Sequence, residues 1–295
     1  MSLNAAKQPG SRQCARLAPV VSHAIARVAV RSLYLELALY PKPGLVSLRD
    51  NGAHDDMDAA TFVRSLFSLR HYFAAIARAG MSATPMAELR RLGLDAEVRM
   101  LQATGGTNTH RGAIFGLGLL SAAAGRAWMQ GDPMSDAALR NVLARHWQRD
   151  LIAVPAPGAT VPSHGQQVAA RHRVAGARGE AIHGFPSIFG IALPALRDAL
   201  ARGAGAEHAR LHAFFALLAE VADTNVLFRG GAAALERVHH DAGEFIARGS
   251  VFAHGWHGRA EAMHRAYSRA RISPGGCADL LAGAWCVHQW QAVAW

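Results

Sequence analysis

Residues 104–116, Thr-Gly-Gly-Thr-Asn-Thr-His-Arg-Gly-Ala-Ile-Phe-Gly, hold the densest set of side chains and backbone suited to chemistry. A glycine turn, Gly105 and Gly106, leads into Asn108, Thr109, His110 and Arg111, and an apolar run from Ala113 to Ala124 follows at once. Glycine lets the backbone approach a ligand closely, and Thr109 can cap the helix that the apolar run must form. A helix opening in this way turns free N–H groups and a partial positive charge toward its guest. With His110 and Arg111 beside it, the expected guest is an anion, phosphate first. Taken alone, the same residues also describe an ordinary capped turn entering a core helix.

Five further segments share this style, each setting glycine or proline beside a charged or amide residue at the edge of an apolar helix. They are Pro41-Lys42-Pro43-Gly44; Asn51-Gly52-Ala53-His54-Asp55-Asp56-Met57-Asp58; Gly176 to Glu180; Asp223-Thr224-Asn225 with Arg229-Gly230-Gly231; and Ser273-Pro274-Gly275-Gly276 with Asp279. Gathered at one end of a helical bundle, they would line a cleft rich in anion-binding backbone and carboxylates. Asp55, Asp56 and Asp58 can offer Mg²⁺ the hard oxygen ligands it takes, often shared with substrate phosphates. Equally, Asp58 can be a plain N-cap and its neighbours solvated loop acids. Glu220 and Asp223 are spaced for one helical face at a C-terminal end, where the dipole disfavours acids, so they hint at a ligand or metal role or mark a solvated end. Glu36 interrupts an apolar helix; buried, it would be a general base or acid, while on the wet face it would be a surface residue. The pairs His239-His240 and His254/His257 read as surface histidines. No P-loop, no Gly-x-Gly-x-x-Gly and no Gly-x-Ser-x-Gly is present, so any nucleotide binds on a helical scaffold.

These segments need elements to position them. The chain has 295 residues, half of them hydrophobic, with few β-branched side chains, which favours helices. Residues 1–16 read as a tail, and 17–295 as a single all-α domain of nine to eleven helices. The helices are expected at 17–40, 58–79, 85–101, 113–125, 135–149, 163–175, from Gly184-Phe-Pro to Leu200, at 206–222, 231–248 and 256–271, and from Ser273 to the end. Pro155, Pro157 and Pro162 mark the longest loop. The apolar stretches 112–125 and 181–196 fall short of the ~20 residues a membrane span needs. Met1 to Pro19 lacks an apolar signal core, and three scattered cysteines fit a reducing cytoplasm. The net charge of +10 attracts anions. It is scattered, and the few aromatics do not interleave with basic residues, which argues for a small phosphorylated substrate over nucleic acid.

Taken in order, the segments resemble the triphosphoribosyl-dephospho-CoA synthases, which make the prosthetic-group precursor for citrate lyase and malonate decarboxylase. The resemblance rests on Glu36 with Pro41-Lys-Pro-Gly-Leu-Val46, Asn51-Gly-Ala-His with Asp56-Met-Asp58, and Thr104-Gly-Gly with Asn108-Thr-His. It continues through Gly179-Glu-Ala with Gly184-Phe-Pro, Asp223-Thr-Asn with Arg229-Gly-Gly, and Ser273-Pro-Gly-Gly with Ala278-Asp-Leu-Leu281. Arg111 stands where a Lys is usual and Cys277 where a Ser is usual. The resemblance implies an all-helical enzyme that transfers the triphosphoribosyl group of ATP to the 2′-hydroxyl of 3′-dephospho-CoA and releases adenine. It also implies Mg²⁺, delivery of the product to a holo-acyl-carrier-protein synthase, and a homodimer; the alanine- and arginine-rich composition leans to the malonate system. In this reading Asp56, Asp58 and Asp223 do metal or base work, with Glu36 and Glu180 as further catalytic carboxylates. Substrate would meet Lys42, Asn51, His54, Gly105, Gly106, Asn108, Thr109, His110, Arg111, Asn225, Arg229, Gly230, Gly231, Gly275 and Gly276. A helical ADP-ribosyl or nucleoside hydrolase and a non-catalytic nucleic-acid-binding protein are the rival readings.

Overall fold

A computed structural model describes residues 11–153, 167–168, 171–172, 174–293 and 295. Among these residues there are twelve α-helices and no strand. They are α1 Ser11–Leu37, α2 Ala59–Met81, α3 Met86–Ala103, α4 Arg111–Gln130, α5 Asp136–His146, α6 Gln148–Ala153, α7 Gly176–Ile182, α8 Leu193–Ala201, α9 Ala206–Glu220, α10 Thr224–Ala247, α11 Trp256–Arg269 and α12 Gly275–Gln291. The all-helical expectation holds. The helix expected at 163–175 and the proline loop before it lie almost wholly outside the described residues.

Helix α4 is the axis of the bundle. Its Ala122, Ala123 and Ala124 are fully buried, and it packs against α1, α2, α3, α5 and α12. Small residues permit the closest of these approaches. A Cβ on Gly80 would lie 2.0 Å from the Ala122 carbonyl oxygen, and one on Gly125 would lie 2.1 Å from that of Ala77. The α2 and α4 backbones therefore touch at two points, and Tyr72 of α2 ties them further by donating to the Ile114 carbonyl at 2.7 Å. At 20 residues α4 is long and apolar enough to cross a membrane, contrary to the sequence expectation. Two thirds of that stretch is buried among other helices, which is the surrounding of a core helix.

Several boundaries differ from expectation for local reasons. Helix α1 begins at Ser11, so residues 11–16 are helical rather than tail, and it runs through Pro19, whose carbonyl accepts from Ser22 Oγ and His23 Nδ1. The apolar helix after Pro186 opens as a π-helical segment, Ser187–Ala192, before continuing as α8. Helix α10 starts at Thr224 instead of 231 because Asp223 caps it, and Gly231 (φ 67°, ψ −164°) bends it where a new helix was expected.

Candidate active site

Glu36 lies at the last turn of α1, and its buried carboxylate forms an ion pair with Lys42 Nζ. Both side chains are shielded from water, Lys42 completely. Burial pulls the Lys42 ammonium below its ordinary value; Glu36 opposes that shift, and Arg210 adds to it. The chain turns between the two residues because α1 ends and Pro41 and Pro43 follow. His264 of α11 pins this turn, with Nδ1 2.7 Å from the Lys42 carbonyl oxygen and 3.2 Å from Gly44 N, and Nε2 2.8 Å from Asp50 Oδ1.

The start of α4 brings a second group. Thr109 does not cap it: His110 holds the N-cap position, and Asn108 Oδ1 accepts from Arg111 N at 3.2 Å. Thr109 Oγ1 instead donates to Ser65 Oγ at 2.7 Å, and Ser65 Oγ lies 2.6 Å from His110 Nδ1. With its oxygen accepting from Thr109, the Ser65 hydroxyl is free to donate to Nδ1, an arrangement that puts the ring proton on Nε2. Nε2 is buried with no partner among the described residues. Burial first, and the Lys42 charge second, push the His110 imidazole down to about 3, so the ring is neutral. Gly105 and Gly106, both left-handed, have nothing close to where a Cβ would sit, so their backbone lies open. Arg111 sits at the rim, paired with Glu97 Oε2 at 3.0 Å.

A third group surrounds the start of α12. Asp223 does not end a helix beside Glu220 but opens α10. Its Oδ1 accepts from Asn225 N at 2.8 Å and Val226 N at 3.3 Å, while its Oδ2 accepts from Cys277 N at 2.8 Å. One buried carboxylate thus closes the N-termini of α10 and α12, where the dipole favours it. Burial raises its pKa against those three bonds. Gly275 and Gly276 make room for Asn225 and Asp223, whose atoms lie 3.1 and 3.0 Å from where their Cβ atoms would be. Glu180 accepts from Ser187 Oγ at 2.6 Å and Ser187 N at 3.2 Å, capping the π-helical segment. Burial, then Asp223 and Glu180, raise the Cys277 thiol well above its usual range, so it stays protonated.

The aspartate loop lies alongside. Asp58 caps α2, accepting from Thr61 N and Oγ1 at 2.7 Å each. Asp55 pairs with Arg271, and Asp56 is largely exposed. Thr107 of the glycine turn donates to the Asp56 carbonyl at 3.4 Å, which brings the two loops side by side. His54 connects the region to α12, with Nε2 2.8 Å from Ser273 Oγ and Nδ1 3.1 Å from Arg229 Nη2. Burial and Arg229 lower its pKa. Asn51 is exposed, and its carbonyl accepts from His54 N. Arg229 also donates to the Ala53 carbonyl at 3.4 Å, while Gly230 and Gly231 lie in exposed and half-buried backbone at the bend of α10. Asp56, Asp58 and Asp223 are not gathered as one ligand set: among the described residues, no three His, Cys, Asp or Glu side chains are placed to hold a metal ion.

Two residues to which the sequence assigned no individual role, Ser65 and Asp279, complete it. Ser65 orients His110. Asp279, one turn into α12, sets its Oδ2 2.0 Å from the position a Cβ on Gly112 would take, so a side chain at 112 would displace it. The Asp279 side chain makes no hydrogen bond to the described residues, and burial, Glu36 and Asp223 hold its pKa well above the carboxylate range. Glu36, Asp223 and Asp279, a buried lysine and the N-termini of α4, α10 and α12 therefore meet at one end of the bundle. Such a site can stabilise a cationic sugar centre through its carboxylates and an anionic phosphate through its backbone.

The sequence profile of the family described as ATP:dephospho-CoA triphosphoribosyl transferase (CitG) matches residues 22–294. A 2-(5''-triphosphoribosyl)-3'-dephosphocoenzyme-A synthase of Klebsiella pneumoniae is 36% identical over 290 residues, covering 95% of each chain. Proteins described as probable synthases of the same kind are 41% identical in Pseudomonas putida (88% of this chain, 91% of the relative) and 36% identical in Acinetobacter calcoaceticus (86% of each). No solved structure matches. The chain is an enzyme of the ATP:dephospho-CoA triphosphoribosyl transferase family.

Proposed function

We propose that this protein transfers the 5-triphosphoribosyl group of ATP to the 2′-hydroxyl of 3′-dephospho-CoA, releasing adenine. The observation that carries this reading is the meeting of Glu36, Lys42, Asp223 and Asp279 with the opening of α4. A glycosyl transfer that keeps its triphosphate needs carboxylates at the sugar and backbone donors at the phosphates, and here they adjoin. The triphosphate lies along Gly105, Gly106 and the start of α4, with Arg111 and Arg229 at the rim. Asn108 shapes that turn, and Glu180 and Asp223 hold its surrounding helices. Glu36, oriented by Lys42, takes the proton of the attacking hydroxyl as the oxocarbenium-like centre forms at C1′.

Mg²⁺ suits this arrangement as a companion of the triphosphate. It is commonly held by one or two carboxylates plus phosphate oxygens and water, and exposed Asp56 beside the glycine turn offers such a donor. Its chemistry there is to neutralise phosphate charge.

The finer assignment is the malonate decarboxylase system rather than citrate lyase, with the product passed to a holo-acyl-carrier-protein synthase in the cytoplasm. Deleting the gene tests this part: growth on malonate fails while growth on citrate persists, and the opposite pattern reverses it. For the reaction itself, the purified protein is incubated with Mg-ATP and 3′-dephospho-CoA, omitting each in turn, and free adenine is followed by chromatography. Adenine formed only in the complete mixture supports the transfer. Adenine without dephospho-CoA identifies a hydrolase, and no turnover removes the reading.

A further inference from the structure

Among the carboxylates at this end of the bundle, partners already occupy three. Asp223 accepts three backbone N–H bonds, Glu180 accepts from the Ser187 hydroxyl and N–H, and Glu36 is paired with Lys42. The Asp279 side chain has no hydrogen bond from the described residues, although it sits beside the start of α4 at a position that a single Cβ on Gly112 would close. Two residues before Gly112, the His110 ring is held on its Nδ1 edge by Ser65, and its opposite nitrogen, Nε2, is buried with no partner among the described residues. The partly open Asp279 carboxyl and the buried, unpartnered Nε2 of His110 both lie at the start of α4, where a polar ligand can meet them.

We propose that Asp279 is the general acid that protonates the departing adenine, seated by Gly112. This inference rests on the triphosphoribosyl transfer proposed above. In the step, the C1′–N9 bond breaks and its electron pair passes to the purine, which takes a proton from the Asp279 carboxyl. The 2′-oxygen of the acceptor bonds to C1′, and its proton passes to Glu36. Solvent then restores both carboxyls, so the ring nitrogen gains one proton and the hydroxyl loses one. The environment suits the role. Burial and the neighbouring charges of Glu36 and Asp223 push the Asp279 carboxyl upward, which favours its protonated form. Glu36 is instead paired with the Lys42 ammonium. Two carboxyls in contrasting environments divide acid from base in the usual way. Neutral His110 is a hydrogen-bond donor to the same ligand and not a proton source.

The test compares Asp279→Asn and wild type with ATP and with 2-chloro-ATP, whose purine leaves more readily without a proton. With ATP, the variant is expected to lose about 10²–10⁴-fold in kcat. With 2-chloro-ATP it recovers much of that loss, while wild type changes little. Gly112→Ala keeps the carboxyl but displaces it, and it is expected to show the same selective recovery; it carries the test if Asp279→Asn fails to fold. A kcat within about threefold of wild type overturns the proposal. So does a slow variant whose 2-chloro-ATP to ATP rate ratio equals that of wild type, because that result marks a structural role. A silent wild type instead overturns the transfer reaction itself, and this inference with it.

Discussion

Glu36→Gln isolates the physics at the centre of the site. The amide keeps the shape of the side chain but leaves the Lys42 ammonium buried with no counter-charge. Lys42 has essentially no exposed surface, so water cannot take over. Removing one partner of a buried pair costs about 3–5 kcal/mol. An independent bound comes from the escape route, in which Lys42 gives up its proton. From an ordinary value of 10.5, that costs about 4 kcal/mol at pH 7.5 and about 1.4 kcal/mol less for each pH unit above. The sign follows from proton counting. Lys42 has its pKa lowered in the folded protein, so between that value and 10.5 the unfolded chain binds more protons and stability rises with pH. The variant widens this window. Urea midpoints, with m-values compared, are expected to show a loss of about 4 kcal/mol at pH 7.5 that shrinks by about 3 kcal/mol at pH 9.5. Glu36→Gln/Lys42→Met, which removes both charges, is expected to recover most of the loss. A single variant within about 1 kcal/mol of wild type at pH 7.5, or a loss independent of pH, refutes the buried ion pair.

His110 is pushed down to about 3 from an ordinary 6.5, so stability is full above 6.5 and falls by about 1.4 kcal/mol per unit as pH drops toward 3; His110→Gln flattens that part of the profile in acid unfolding. Asp223→Ala removes the cap of two helices and is expected to cost about 2–4 kcal/mol, with raised hydrogen exchange at Asn225, Val226 and Cys277; exchange unchanged at Cys277 argues against the shared cap. Gly80→Ala drives a methyl group into the Ala122 carbonyl and is expected to lower stability by about 1–3 kcal/mol, measured by thermal unfolding; a neutral result means that α2 and α4 can separate without cost. Chelating Mg²⁺ is expected to abolish adenine release while leaving the melting temperature of the ATP-free protein unchanged, since the described residues form no metal cage; a drop in that temperature instead points to a structural ion.

Much of this architecture is legible in the chain. Helical spacing of apolar residues locates most helices, and Asp58 marks the start of α2 because a short acid before an apolar run has a local bond to make. The glycine turn is legible for the same reason, since Gly105 and Gly106 take their conformation from local demands. What escapes is whatever depends on helices meeting. Asp279 stands out in sequence beside the Ser273 glycine loop, but its particular place shows only when α12 is laid against α4 and Gly112 opens its seat. Ser65 gives no signal on α2 because its partners, Thr109 and His110, lie more than forty residues away. Asp223 resembles a catalytic acid in sequence, yet its oxygens serve backbone N–H groups, one of them 54 residues further along the chain. Gly275 and Gly276 resemble a ligand loop but accommodate protein side chains.

The transfer itself is tested most directly by following two labels in ATP, one in the ribose and one in the purine. With 3′-dephospho-CoA and Mg²⁺ present, the ribose label is expected in a single dephospho-CoA product heavier by one triphosphoribosyl unit, and the purine label only in free adenine. Ribose label recovered as free ribose triphosphate, or both labels remaining together, would contradict the account.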